Sequence, residues 1–252
     1  MSAPEARSFG RELRLAIAAE LSKLCSLPTT GMVLGSTFIV NLLLALAFSN
    51  AALQGIVSID SALDIGLASV SYAQAGFMVF GILTACSEYG GGQIHTTLMA
   101  MPRRGTQLAA ALLVLTLALI PAAIVVSVSG LLVTQMYYGD TVSPIAWDEL
   151  ATSLAGVTAY LTLTTLLSAA IGMVLRRMLP AVALVLGYYF VAGPLIRDAV
   201  PWARYLPDTA GVVLWLPPAD DALQPMVGGM LLAAWTLCAI GIAAFVYRRR
   251  DM

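Results

Sequence analysis

The sequence carries very little charge for its length. Of its 252 residues, 11% are Asp, Glu, Lys or Arg and 60% are hydrophobic, and the mean hydropathy is +0.88. Soluble domains carry about 25% charged residues, so the composition excludes an ordinary soluble domain and any strongly basic nucleic-acid-binding protein. It indicates an integral membrane protein.

Histidine and cysteine are also scarce. The one histidine is His95, and the three cysteines, Cys25, Cys86 and Cys238, fall on no metal-ligand spacing. No HExxH motif is present, and no second histidine could pair with His95. We therefore predict no catalytic residues, no metal site and no disulfide framework, so the chain is not expected to be an enzyme by itself.

The triple glycine Gly90-Gly91-Gly92 suggests a phosphate-binding loop at first sight. Such a loop needs a following Lys and Ser or Thr to hold phosphate and magnesium, whereas Gln93 and Ile94 follow here. The chain is therefore expected to bind no ATP and no other cofactor by this motif.

Long apolar runs free of Asp, Glu, Lys and Arg dominate the rest of the sequence. A helix needs about 20 such residues to cross the hydrocarbon layer of a bilayer, and six runs reach that length. They cover about residues 29–48, 65–86, 105–137, 150–175, 178–196 and 225–247. The predicted fold is all-α, a polytopic membrane protein with six transmembrane helices in a single domain over residues 1–252.

The charges segregate by side of these spans. Eleven of the thirteen cations lie on one side: before span one, between spans two and three, between spans four and five, and after span six. The connections on the opposite side hold the other two cations, Arg197 and Arg204, and nine carboxylates. The positive-inside rule places the cation-rich side in the cytoplasm. We therefore predict a multi-pass protein of the cell membrane with both termini cytoplasmic.

An amphipathic pattern precedes span one. Phe9, Leu13, Ile17, Leu21 and Leu24 recur at helical spacing, and the cations of this stretch occupy other faces. The pattern predicts an elbow helix over about residues 9–26, attached to the cytoplasmic membrane surface. A soluble helix packed on a partner protein is the alternative.

The connection between spans five and six is too interrupted by proline to cross a membrane. It carries Trp202, Tyr205 and Trp215, and aromatic residues of this kind are typical of the lipid interface. We predict one or two short extracellular interfacial helices there.

Inside the apolar runs, polarity is neutral. Candidate residues lining a substrate cleft are Asn41, Gln74, Gln135, Thr158, Thr162 and Thr165. Helix packing is the alternative role for each of them, because hydroxyls bond readily to their own helix. The absence of ionisable residues within the runs argues against a proton relay and favours an apolar or amphipathic substrate.

Three stretches together resemble the membrane subunit of an ABC-2-type ABC transporter, particularly the small six-span permeases of Gram-positive bacteria. These are LRLAIAAELSKLCSLPTT before span one, CSEYGGGQIHTTLMAMPRRGTQLAAALLV after span two, and FVYRRRDM at the end of the chain. The resemblance in architecture covers nearly the whole chain, whereas the sequence motif lies in about 18 residues. The motif departs from the family pattern in one place, because Gly91-Gly92-Gln93 stands where Gly followed by Thr is usual.

The resemblance implies a permease that dimerises with a second copy or a paralogue and works with two copies of a separate ATPase subunit, which holds ATP and Mg. Segment 87–104 would contain the coupling helix that contacts the ATPase. The residues implied in this contact are Glu88, Tyr89, Gly90, Gly91, Gly92, Gln93, Thr96, Thr97, Arg103 and Arg104. Export of a drug, peptide antibiotic, lipid or glycan is the implied function.

Two alternatives remain open from the sequence. Glu88 could pair with Arg103 or Arg104 at the membrane boundary instead of contacting an ATPase. The chain could also be a non-transporting scaffold or sensor whose cytoplasmic segment binds a signalling partner.

Overall fold

The described residues form an almost entirely helical protein. The computed structural model describes residues 3–26, 28–54, 62–87, 104–138, 146–216 and 223–249. These residues are 93% helical and contain no strand. The α-helices are α1 (Ala3–Ser26), α2 (Pro28–Leu53), α3 (Ala62–Ala68), α4 (Val70–Ser87), α5 (Arg104–Tyr138), α6 (Trp147–Leu175), α7 (Met178–Gly187), α8 (Gly193–Ala199), α9 (Pro207–Val212) and α10 (Pro225–Arg249).

Six helical segments of the described chain are long and apolar enough to cross a membrane. They are Pro28–Leu53, Leu63–Ser87, Gly105–Tyr137, Trp147–Leu175, Met178–Ala199 and Pro225–Tyr247. The predicted fold class, an all-α polytopic membrane protein with six spans, is confirmed. Span two combines α3 and α4, and span five continues from α7 through a π-helical turn at Tyr188–Ala192 into α8.

Helix α6 lies at the centre of the bundle. It packs most extensively against α4 and α10, and also against α5 and α7. Glycine allows the closest of these approaches, because a Cβ at Gly81 on α4 would lie 2.5 Å from the backbone oxygen of Thr165 on α6. In lipid, close van der Waals packing of this kind drives helix association, since lipid tails are as apolar as the side chains themselves.

One end of the bundle collects the helix ends that border the predicted coupling segment. Lys23 of α1, Ser87 at the end of α4, Gln107 near the start of α5 and Tyr247 near the end of α10 all line one cavity. We call this the basic end, because the cation-rich connections of the sequence leave the bundle here. Helix α1 packs on α5 at this end, burying Ala16 and leaving Leu21 exposed.

The connection between spans five and six folds back onto the bundle at the opposite end. It contains α8, a 3₁₀ turn at Pro201–Tyr205 and α9. Trp202 and Tyr205 are exposed, as the prediction of interfacial aromatics requires, but Trp215 is only 6% exposed. Its ring lies 6.1 Å from that of Tyr160 on α6, so the prediction of an interfacial position was wrong for Trp215, which packs inside the protein.

Candidate functional site

Asn41 connects two spans in the bundle interior. Its side chain is fully buried, and its Nδ2 donates to the backbone oxygen of Val126 at 2.9 Å and to the hydroxyl of Ser129 at 3.2 Å, both on α5. Its Oδ1 is buried without a hydrogen-bond partner among the described residues. Asn41 therefore holds α2 on α5 and keeps one acceptor unused.

Gln74 and Tyr160 form a second polar link, between α4 and α6. The hydroxyl of Tyr160 donates to Oε1 of Gln74, and Nε2 of Gln74 donates to the backbone oxygen of Ser71 at 2.6 Å. Tyr160 is fully buried. It is a residue that the sequence reasoning missed, because a single tyrosine in an apolar run has the pattern of a packing residue.

The hydroxyls of α6 divide into two groups. Thr165 is satisfied within its own helix, since its Oγ1 donates to the backbone oxygen of Leu161 at 2.6 Å. By contrast, the Oγ1 atoms of Thr158 and Thr162 are buried without a partner among the described residues. Of the three candidate threonines, these two retain hydrogen-bonding capacity for another molecule.

The six candidate cleft residues do not converge on one surface of the described chain. Asn41 lies between α2 and α5, and Gln74 lies between α4 and α6. Gln135 is exposed near the end of α5. The arrangement is a set of separate polar positions in and around the bundle, and any common cleft would need the helices to move apart.

A buried carboxylate lies where the sequence predicted none. Asp208, at the start of α9, is 6% exposed, and its Oδ1 accepts a hydrogen bond from the hydroxyl of Tyr188 at 2.6 Å. The hydroxyl of Thr209 lies 3.4 Å from the other carboxylate oxygen. Tyr188 lies in the middle of the apolar segment Met178–Ala199. The connection therefore folds back far enough that Asp208 lies beside the apolar part of span five.

The signal for this position was weak but present. Asp208 lies in a proline-interrupted connection, which reads as a loop outside the spans. However, the run from Thr209 to Leu216 contains no charged residue. A short apolar run that follows a single carboxylate could have indicated a segment re-entering the protein.

The predicted coupling segment itself lies largely outside the described residues. Ser87 ends α4 and Arg104 begins α5. The other candidates fall between them, outside the described residues, namely Glu88, Tyr89, Gly90, Gly91, Gly92, Gln93, Thr96, Thr97 and Arg103. The structure therefore gives the two helix ends that hold this segment and no geometry for the segment.

Those two helix ends border a cavity of about 40 Å³ at the basic end, whose wall is mainly apolar with a few polar side chains. Glu20 and Lys23 of α1 line it and form an ion pair at 3.7 Å. Gln107 of α5 also lines it and accepts a hydrogen bond from the hydroxyl of Tyr247 at 3.3 Å. The cavity thus lies between the elbow helix and the helices that the coupling segment joins.

No group of three or more His, Cys, Asp or Glu side chains among the described residues is arranged to hold a metal ion. No family model matches the chain, and no curated protein matches it.

Proposed function

We propose that the chain is the membrane-spanning subunit of an ATP-driven ABC exporter that works with a separate ATPase. The observation that carries the proposal is the arrangement at the basic end. The amphipathic helix α1 packs on α5, next to the ends of α4 and α5 that hold segment 88–103. A partner that binds this segment and moves it would apply force directly to α4 and α5, the two helices that the segment joins.

Contacts inside the bundle support a mechanical role for α4. It packs on the central helix α6 with backbone-level contact at Gly81, and the Tyr160–Gln74 bond joins the same two helices. Helix α6 in turn contacts the connection at the opposite end, where a Cβ at Gly156 would lie 2.0 Å from the backbone oxygen of Leu214. Continuous packing of this kind is a physical route by which movement of α4 would reach the opposite end of the bundle.

In this proposal, two ATPase subunits bind ATP and Mg, and two permease copies, identical or paralogous, enclose the transport path. Both termini and the basic end face the cytoplasm of the cell. The substrate is apolar or amphipathic. The neutral unpartnered atoms of Asn41, Thr158 and Thr162 are suited to contact its polar part.

Recruitment of the ATPase is the first test. Tagged chain is purified in mild detergent from membranes of its own host, and the bound proteins are identified by mass spectrometry. We expect an ABC ATPase in equal amount to the permease, encoded in the adjacent reading frame. A chain that is stable alone and captures no ATPase would contradict the proposal, and capture of a signalling protein instead would favour a scaffold or sensor.

A further inference from the structure

At the basic end, the cavity adjoins an apolar groove. The groove runs between the start of α5 and the end of α10 and has a volume of about 210 Å³. The cavity and the groove share Leu108, Leu112 and Tyr247 in their walls. A molecule with one polar and one apolar part could therefore contact both.

One residue in the cavity wall has a hydrogen-bond donor without a partner in the part of the chain that the structure describes. Gln107 is 3% exposed, and its Nε2 is buried with no hydrogen-bond partner among the described residues. Leaving a buried amide donor unsatisfied is unfavourable, so a hydrogen-bond acceptor near Nε2 of Gln107 is favoured. The volume of about 40 Å³ exceeds the roughly 10–15 Å³ that a single water needs.

The position of the groove matches the border between lipid headgroups and acyl chains. Gly105 and Tyr247, which both line the groove, are the terminal residues of their apolar segments. From Gly105 to Leu112 the groove extends about 10 Å along α5, at 1.5 Å per residue. Phe245 on the adjoining turn of α10 is 55% exposed, as expected of a lipid-facing side chain.

Positively charged side chains lie near the ends of these apolar segments. Lys23 of α1 and Gln107 both line the cavity. The guanidinium of Arg249 lies 4.4 Å from the centre of the Phe245 ring, so a second positive charge lies at the level where the apolar segment ends. The Lys23 ammonium in the cavity wall is paired with the Glu20 carboxylate at 3.7 Å. An amide donor in the same wall as an ammonium group suits an anionic oxygen acceptor.

We propose that the cavity and the groove form a binding site for one phospholipid. Its phosphate accepts from Nε2 of Gln107 and lies near Lys23, and one acyl chain occupies the groove beside Ala109 and Ala244. Because the walls include residues of α1 as well as of α4, α5, α6 and α10, the bound lipid would join the elbow helix to the bundle. The site would bind lipid whether or not the chain works with an ATPase.

The test compares two diacyl lipids that differ in phosphate. The purified full-length chain is delipidated in detergent and offered phosphatidylglycerol or a phosphate-free diacyl glycolipid, and retained lipid is counted by native mass spectrometry. We expect at least threefold more phosphatidylglycerol than glycolipid to be retained. Equal retention of the two lipids, or retention of neither with only water in the cavity, would overturn the proposal.

Substitutions of Gln107 test the proposed contact with the lipid phosphate. Gln107→Leu removes the donor and should lower phosphatidylglycerol retention at least threefold, whereas Gln54→Leu, the same change at an exposed position directly after α2, should not. Gln107→Glu is the second variant should Gln107→Leu fail to fold, because it keeps an acceptor for Tyr247 and repels phosphate. Unchanged retention in a folded Gln107 variant would refute the phosphate contact.

A variant of the apolar part tests the groove. Ala244→Phe fills it and should lower retention of both lipids, whereas Ala234→Phe, at an exposed position of the same helix, should affect neither. Glycerol 3-phosphate, which lacks acyl chains, should not compete with the lipid. Competition by it would show a free phosphate-ester site and overturn the assignment to a lipid.

Discussion

At the scale of single residues, buried polar side chains connect the spans of this protein. Asn41 bonds α2 to α5, and Tyr160 with Gln74 bonds α4 to α6. No water is present in hydrocarbon to satisfy such groups, so each must find a partner inside the protein. Their first role is therefore structural, and atoms such as Oδ1 of Asn41, which has no partner among the described residues, remain available to another molecule.

Residue types alone could not separate these two roles. Six neutral polar residues of the apolar runs were the cleft candidates, but whether a hydroxyl bonds to its own helix depends on its rotamer and neighbours. Thr165 is satisfied by Leu161, whereas Thr162, three residues earlier, has no partner among the described residues. Gln135 is exposed because of how α5 packs, which its local sequence does not encode.

The Tyr160–Gln74 bond should contribute measurably to stability. Tyr160→Phe leaves Oε1 of Gln74 buried without its donor, so we expect the free energy of unfolding to fall by about 1–2 kcal/mol. Unfolding in mixed micelles titrated with denaturing detergent measures it. Tyr72→Phe is the control, because Tyr72 is 51% exposed and its ring is preserved.

A double-mutant cycle separates the bond from general packing. Combining Tyr160→Phe with Gln74→Leu should destabilise less than the two single changes added together, since both remove the same bond. Strict additivity would mean that the bond contributes nothing.

At the scale of elements, the connection between spans five and six was the part that sequence reasoning described least well. Its prolines predicted short helices, which the structure contains. The burial of Trp215 and Asp208 depends on contacts with Tyr160 and Tyr188, which lie 55 and 20 residues away along the chain. Pattern reasoning within a short window does not detect such contacts.

Gly193 at the start of α8 should be essential for docking this connection. A Cβ at Gly193 would lie 2.4 Å from Oδ2 of Asp208, so Gly193→Ala should displace the carboxylate from Tyr188. We expect a loss of about 1–3 kcal/mol of stability, the range for leaving a buried polar group unsatisfied, measured by thermal unfolding in detergent.

Gly187→Ala is the matched control for Gly193→Ala. It adds the same methyl group in the same span, where nothing lies within 4 Å, so it should be neutral or slightly stabilising through better helix propensity. In a Tyr188→Phe background, Gly193→Ala should cost less, because the bond that it disrupts is already absent. An equal cost in both backgrounds would contradict the docking role of the Asp208 contact.

At the scale of the whole molecule, the number and approximate limits of the spans were predictable. Each span must supply its own run of about 20 apolar residues, so the requirement is local and can be read from the sequence. The packing partners of each span are not local. The central position of α6 follows from glycine contacts such as Gly81 against Thr165, which only the folded protein reveals.

The proposed orientation makes a prediction for the intact cell. In a chain whose native cysteines are replaced by alanine, Trp147→Cys at the opposite end should react with a membrane-impermeant maleimide in whole cells. Ser26→Cys at the basic end should react only after permeabilisation. Both positions are exposed, so access through the membrane decides the result, and the reverse pattern would place the basic end outside.

The central claim is that segment 87–104 receives force from an ATPase. The most direct measurement is ATP hydrolysis by the purified complex in proteoliposomes, with and without Glu88→Ala. A charge-assisted hydrogen bond contributes about 1.5–3 kcal/mol, so we expect stimulation of the ATPase by the permease to fall about tenfold while the complex stays assembled. Glu149→Ala, the same change at an exposed position of the opposite end, should leave hydrolysis unchanged. Equal hydrolysis by the unmodified and Glu88→Ala complexes would contradict the claim.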